Sequence, residues 1–396
     1  MKYIPFIGII TSVLTLSFQA CKAKSNETAN PISNKNIVYA DTNSIINKRI
    51  IDSLDRYYDN EVKRGFNGSV LIGSNGKVIY KRFFGYANRP QKELLDDNTS
   101  TQLSSTSKPF TATAILWLHQ NKYLDINLPV NAYLKNFPYS NITVKMLLDH
   151  RSGLRDYTKA PFTRWLSKKP MYNNDLQNQL ALLKPRLNYN PNTKFDYSNT
   201  NYALLARIIE EVSGMSYKQF LKELIFEPLG MNHTFVFDPA DNYENEKLAI
   251  SYKADWSVFA NNEQDGVYGD KGIYSTPEDL YLWDQSFYKN RILNKNNTQL
   301  AYTGNSPEMR GNKNYGLGWR MYDTPDGQKM IFHNGWWHGN NSVFYRFVLE
   351  NSTIIVLGNK YNKKIYDQGK AVYAILQSIA PQNFKFIFNP DEQGGE

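Results

Sequence analysis

Ser105 and Lys108 stand three residues apart, a spacing that can turn a hydroxyl into a nucleophile. On a helical turn, residues i and i+3 share a face, so the Lys108 amine can reach the Ser105 oxygen. A serine hydroxyl is a poor nucleophile until a neighbouring base takes its proton, and a lysine does this once burial lowers its proton affinity. The same Ser-x-x-Lys spacing occurs at Ser74/Lys77 and Ser286/Lys289. The first falls in a predicted hairpin turn and the second at the end of what reads as a short surface helix. Ser105 alone opens an almost wholly apolar run, Thr111 to His119, as expected of a helix buried on all sides. The positive end of that helix would favour negative charge at Ser105. Pro109 has no N–H, so the first turn must be distorted or very early. A plainer alternative makes Ser105 a helix N-cap and Lys108 a solvated first-turn residue.

Two further clusters could face the same cleft. Tyr197-Ser198-Asn199 precedes a helical face formed by Tyr202, Leu205, Ile208, Ile209 and Val212 and ended by Gly214. Such a junction can present a phenol and an amide. His333-Asn334-Gly335 lies on a predicted strand and runs into Trp336, Trp337 and His338. A glycine there lets a substrate backbone approach, and the N–H of Trp336 can point into an oxyanion hole. His333 could equally be a satisfied strand histidine. His333 and His338 lack helical spacing and an adjoining acidic cluster, so no metal site is expected. His150 is expected to cap or pack in its loop, and His119 and His233 to be structural. No Gly-x-Ser-x-Gly elbow is present.

The elements that must position these residues follow from periodicity. Ile46, Ile50, Leu54, Tyr57 and Tyr58 predict an amphipathic helix from Ile45. Gly68 to Ile72 and Val78 to Phe84, joined by Ser74-Asn75-Gly76, predict a β-hairpin. Strands return at Leu317 to Tyr322, Lys329 to Phe332, Ser342 to Leu349 and Thr353 to Leu357, and a helix over Lys364 to Ile379 closes the pattern. Strands at both ends with helices between predict an α/β (α+β) fold: one antiparallel sheet built from both chain ends, flanked by helices, with an inserted mostly helical lobe at about 105–265. Residues 45–380 read as one domain and 381–396 as a tail.

Lys2 and the apolar run Ile4 to Phe18 read as an export signal over residues 1–21, too short for a comfortable span of about 20 apolar residues. Cys21, the only cysteine, follows that run and resembles the lipidated residue of bacterial lipoproteins. Residues 22–44 are polar at first and read as a tether. The expectation is an exported protein, held in the bacterial envelope by a lipid on Cys21 and facing the periplasm. A net charge of +9 is scattered rather than blocked, and no nucleic-acid-binding pattern accompanies it.

Taken in order, the three clusters resemble the Ser-x-x-Lys, Tyr-x-Asn and Lys/His-x-Gly motifs of the serine β-lactamase-related and penicillin-binding protein family, of class C β-lactamase and D-alanyl-D-alanine carboxypeptidase type. The stretches Ile142 to Leu154, Gly272 to Leu280 and Tyr315 to Trp319 are similar to the family too, and the resemblance runs from about Ile45 to Ile379. It implies a β-lactamase/transpeptidase-like fold and an acyl-enzyme on Ser105. Lys108 and Tyr197 would share the roles of base and acid, and Asn199 would hold Lys108 and the substrate amide. The N–H groups of Ser105 and Trp336 would form the oxyanion hole. His333, Asn334, Gly335 and Trp336 would line the substrate. No cofactor or metal is required. His333 stands where efficient β-lactamases of this type carry Lys, and Asn334 replaces the usual Thr or Ser. The expectation is therefore weak or absent β-lactam hydrolysis, with D-amino-acid-containing peptides or small amides as substrates. A carboxylesterase of small acyl esters and a non-catalytic binding lipoprotein are the alternatives. Trp336 and Trp337 are expected to line the acyl pocket, and Tyr172 to Tyr189 and Asp238 to Asp265 to cover the cleft.

Overall fold

The computed structural model describes residues 37–159, 165, 167–324 and 327–388. The expected export signal, Cys21, most of the tether and residues 389–396 lie outside the described residues.

Helix α1, Ile45–Lys63, buries Ile50, Leu54 and Tyr58 of the predicted stripe, while Tyr57 is half-buried and Ile46, in the first turn, is exposed. The hairpin follows as β1, Gly68–Ser74, and β2, Lys77–Phe84. Asn75 and Gly76 both take positive φ, 49° and 72°, which a two-residue turn with the twist of its strands requires. The other strands of the main sheet come from the last part of the chain: β3, Lys313–Tyr315; β4, Arg320–Asp323; β5, Lys329–Trp337; β6, Asn340–Phe347; and β7, Ser352–Gly358. They form a seven-stranded sheet in the order β2-β1-β7-β6-β5-β4-β3. Every pairing is antiparallel, so the two chain ends meet where β1 pairs with β7.

Alternation along the strands builds two cores. Val70, Ile72, Met330, Val343, Tyr345, Ile354 and Val356 pack on the outer face with α1 and the closing helix, Ile365–Ile379. Leu71, Ile331, Phe344, Ile355 and Leu357 face inward. They meet α2 (Lys108–Gln120), α3 (Asn199–Ser213) and α4 (Pro277–Tyr288); the closing helix is α5. Phe110 of α2 stacks on Trp283 of α4, ring centroids 3.6 Å apart.

Four sequence expectations need correction. Val38 to Ala40, counted with the tether, hydrogen-bond with Val78 and so cover the edge strand β2. Residues 381–388, counted as a tail, return to the outer core, where Phe384 and Phe386 are buried beside Tyr373. The helix carrying Ser286 is largely buried rather than a surface helix. Finally, Leu317 and Gly318 form a turn before β4 instead of its first residues. Gly318 has φ +86°, and its N–H donates to the Leu148 carbonyl at 3.2 Å.

A Cβ on Gly318 would lie 2.3 Å from the Ala112 Cβ of α2, the helix that carries Lys108. We therefore predict that Gly318→Ala destabilises the protein by about 2–4 kcal/mol through backbone strain and overpacking together. Urea unfolding checks this; an unshifted midpoint would mean that α2 is not held at this turn.

Candidate active site

The segment Ser104–Ser107 is a tight helical turn that leads directly into α2, with Lys108 and Pro109 opening the helix proper. Pro109 is tolerated because the first N–H groups of a helix have no intrahelical acceptor to lose. Each hydroxyl in the turn has its own surroundings. Ser107 Oγ accepts the Ile273 N–H at 3.1 Å, and Thr106 Oγ1 lies 2.8 Å from Ser342 Oγ. Ser104 sits at φ +54°, a conformation that costs a non-glycine residue on the order of 1 kcal/mol or more. Ser105 is the partly exposed residue of the four, while Ser104, Thr106 and Ser107 are buried.

Lys108 is fully buried, so the solvated first-turn alternative fails. Its Nζ lies 3.1 Å from Ser105 Oγ, 2.7 Å from Asn199 Oδ1 and 2.8 Å from the Asp270 carbonyl oxygen. Asn199 Oδ1 and the Asp270 carbonyl can only accept, so each takes a hydrogen from Nζ. Toward Ser105 the same nitrogen can present a hydrogen, as ammonium, or its lone pair, as amine. That second state is the one able to receive the Ser105 proton. The Tyr197 ring lies 5.0 Å from Nζ, and Arg320 lies over the same ring at 5.2 Å.

Asn199 opens α3, and its Nδ2 donates to Asp156 Oδ2 at 3.0 Å and Thr158 Oγ1 at 3.4 Å. Both amide ends are thus used inside the protein, which holds the oxygen toward Lys108. His333 is fully buried as well. Its Nδ1 is 2.7 Å from the Asn334 carbonyl and its Nε2 is 3.3 Å from the Tyr315 hydroxyl. Burial, with Arg320 and Lys108 nearby, pushes its pKa well below the ordinary range, so it is neutral. His333 was expected to touch substrate; it is instead a strut beneath the site. Gly335 also differs in its reason. A Cβ there would lie 2.2 Å from the Leu103 carbonyl oxygen and 2.4 Å from Ser342 Oγ, so the close approach is by the protein's own serine turn.

Strand alternation separates the remaining residues. Asn334 and Trp336 point to the outer face, opposite His333, and Trp336 is 57% exposed with its ring near Tyr361. Trp337 turns inward over Lys271, 4.6 Å from its Nζ. Of the tryptophans expected at the acyl pocket, only Trp337 is on that face. Its Nε1 donates to Asp265 at 2.6 Å, and His338 Nε2 is 3.0 Å from the same carboxylate. These contacts pin one end of the 238–265 stretch to the turn after β5. Asn173–Leu183, within the other expected cover, is a helix lying on α3.

A cleft of about 470 Å³ opens on the outer face of the sheet, lined by Arg320, Asn334, Trp336, Lys363, Tyr366 and Lys370 among others and by none of Ser105, Lys108 and Tyr197. Sequence reasoning missed Arg320, which carries no motif signal of its own. Its Nε is buried and meets no acceptor among the described residues, and Asn334 Oδ1 is buried without a partner in the same way. His150, expected to cap or pack in its loop, is fully buried, and its place against Tyr197, ring centroids 4.3 Å apart, was not foreseen.

A neutral buried histidine has a defined linkage to pH. The unfolded chain protonates His333 below about pH 6.5 while the folded one does not, so His333 lowers stability as pH falls through that value. Burial pushes Asp149 up to about 7, which acts in the opposite sense between about pH 4 and 7. Comparison with a variant isolates the histidine. We predict that the stability advantage of wild type over His333→Gln shrinks below pH 6.5, by up to about 1.4 kcal/mol per pH unit. Urea midpoints at pH 7.5, 6.5 and 5.5 test this; a constant difference would mean that His333 takes up its proton in the fold as readily as in the unfolded chain, and a growing one that it is charged in the fold.

Comparison with known proteins gives the same frame. The family model described as Beta-lactamase matches residues 54–377. Penicillin-binding protein 4* of Bacillus subtilis (strain 168) is 34% identical over 332 residues, which cover 79% of this chain and 73% of that protein. The octameric penicillin-binding protein homologue from Pyrococcus abyssi superposes with a TM-score of 0.70 at 26% identity, over 84% of this chain and 77% of that one. D-amino acid amidase from Ochrobactrum anthropi SV3 shares the fold, with a TM-score of 0.69 at 22% identity over 86% of this chain and 99% of that one. No helix among the described residues is long and apolar enough to cross a membrane. With its motifs gathered around one buried lysine, the chain belongs to the beta-lactamase family and is a serine hydrolase of the β-lactamase and penicillin-binding protein kind.

Proposed function

We propose that this protein hydrolyses D-amino-acid-containing peptides or related small amides through an acyl-enzyme on Ser105. The observation that carries the reading is Lys108: fully buried, 3.1 Å from Ser105 Oγ, and held from the other side by Asn199 and the Asp270 carbonyl. Ser105 Oγ attacks the scissile carbonyl carbon and gives its proton to the Lys108/Tyr197 pair. The carbonyl oxygen becomes an oxyanion, stabilised by the N–H groups of Ser105 and Trp336. Collapse breaks the C–N bond, and Tyr197 returns a proton to the departing amine. Water, deprotonated by the same pair, then attacks the ester and releases Ser105.

Two features support a peptide-like substrate with an anionic leaving group. Beyond Phe332 no described strand pairs with β5 on its β4 side, so an extended peptide can lie along His333 to Trp337. Beside that edge stands Arg320, next to Tyr197 and with a buried Nε that meets no acceptor among the described residues. Arg320 rather than His333 would bind a leaving-group carboxylate, because a cation does this better than a neutral imidazole. The envelope remains the expected location, with Cys21 as the lipid-bearing residue.

A fluorophosphonate probe should form one adduct on the soluble protein and none on Ser105→Ala. Lys108→Ala and Tyr197→Phe should each slow acylation by about 10² or more. If either acylates at the wild-type rate, that residue leaves the mechanism. Substrate class is tested on peptides ending in D-Ala-D-Ala, with free or amidated C-termini, beside p-nitrophenyl esters and penicillins. Arg320→Ala should lower kcat/KM about 10- to 100-fold for the free-carboxylate peptide and leave the amidated one nearly unchanged, the scale of one charged hydrogen-bonded contact. Equal losses on both would remove Arg320 from recognition. Turnover of esters alone would point to a carboxylesterase, and rapid penicillin hydrolysis would overturn the peptide reading.

A further inference from the structure

We infer that His150 is a positioning residue for Tyr197: a single buried imidazole, held in a strained backbone conformation, fixes the phenol's main chain on both sides and packs against its ring. The inference rests on the proposed acid–base role of Tyr197.

His150 follows the short helix Val144–Leu148 and has φ +58°, an uncommon conformation for a residue with a Cβ. Such strain persists where the surroundings over-determine it. Here they do. The His150 carbonyl accepts the N–H of Asp196 at 2.9 Å, and its Nδ1 accepts the N–H of Ser198 at 3.2 Å. The residues immediately before and after Tyr197 are therefore both tied to His150. Asn201 Nδ2 lies 3.0 Å from the same Nδ1, while Asn201 Oδ1 accepts from Ser152 Oγ at 2.6 Å. That second bond returns to the His150 loop and closes a ring of contacts around the Tyr197 junction.

The chemistry at Nδ1 sets the tautomer. A backbone N–H can only donate, so Nδ1 carries no hydrogen and the ring proton is on Nε2. Nε2 is buried without a hydrogen-bond partner among the described residues, and the ring lies 5.1 Å from Tyr202 and 4.9 Å from Tyr315. Burial first, and then the positive charges of Lys108 and Arg320, hold the imidazole neutral. A protonated ring would direct a hydrogen at the Ser198 N–H and break the bracket. Phenylalanine would keep the packing but lose the acceptor, and asparagine would keep an acceptor but lose the ring. Histidine supplies both.

The test is a double-mutant cycle on single-turnover acylation by an activated D-Ala ester, using His150→Asn, His150→Phe, Tyr197→Phe and the two doubles. His150→Phe should slow acylation about 10- to 100-fold with KM little changed, the scale expected when a reacting group is displaced by about 1 Å. His150→Asn, which retains an acceptor, should recover part of that loss. In the Tyr197→Phe background, both substitutions at position 150 should have almost no further effect, because the group they position is already gone. Full multiplication of the two losses would overturn the inference and leave Tyr197 in its role. An unchanged rate in Tyr197→Phe alone would remove the acid–base reading and the inference with it. Near-ultraviolet circular dichroism identifies any unfolded variant; should His150→Phe not fold, His150→Asn and its double carry the same comparison.

Discussion

A lysine ammonium is a compact, strongly hydrated charge, and taking one fully out of water costs several kcal/mol unless oxygens replace the lost solvent. Lys108 is fully buried, and the oxygens that meet it come from different parts of the chain. Ser105 belongs to its own helical turn, Asn199 to the start of α3, and Asp270 to the loop before Ile273–Ser275. The need to satisfy one amine therefore fixes how these segments meet. The next layer follows from the same demand. Asn199 presents its oxygen to Lys108 because Asp156 and Thr158 occupy its amide hydrogens. Asp270 is held through its side chain, where Oδ2 accepts from the Tyr157 hydroxyl at 2.9 Å.

A second constraint is the two-residue period of β5. Neighbouring side chains on a strand face opposite sides, so residues adjacent in sequence do different work. His333 and Trp337 point inward. The first meets the Tyr315 hydroxyl, and its carbonyl accepts from Thr106 of the serine turn; the second packs over Lys271 and holds Asp265. Asn334 and Trp336 point outward, toward the cleft that also contains Arg320. Arg320 reaches Tyr197 from β4, where it pairs across the sheet with Phe332. A cation thus stands beside Tyr197 on the neighbouring strand, while the motif histidine is a neutral, buried support.

Between these constraints lies a cluster of aromatic rings and imidazoles, buried except for the half-buried Tyr197. His150, Tyr197, Tyr202, Tyr315 and His333 form a contiguous set, with the Tyr202 hydroxyl donating to the Leu148 carbonyl at 2.6 Å. Rings suit this task because each buries a large area with few rotatable bonds while keeping a polar end for a specific partner. Tyr202 and Tyr315 pack on His150, and Tyr315 also on the Tyr197 ring, so two phenols brace the loop that carries Tyr197.

Much of the fold was legible from local chemistry. Asn75-Gly76 specifies its turn because both positions need positive φ, and Gly214 ends α3 for the same reason. Alternation in β1, β6 and β7 specifies a sheet with apolar material on both faces. Ser105 and Lys108 were legible as a pair because i and i+3 on one turn are neighbours whatever surrounds them. Longer-range relations were not. The Ser74 and Ser286 copies of the motif are no different in spacing, and only the tertiary placement of Asn199 and Asp270 gives Lys108 its partners. Gly335 looked like room for a substrate until the Leu103–Ser104 turn was found against it. Phe384 and Phe386 looked like a tail because their partners, Phe347 and Tyr373, lie on other elements. By itself the sequence determined which residues could react and which elements would carry them, since turns and periodicity act over a few residues. Tertiary structure alone decided which imidazoles are neutral, which cation stands over Tyr197 and what surrounds that ring, because burial and charge depend on groups that meet only in the fold.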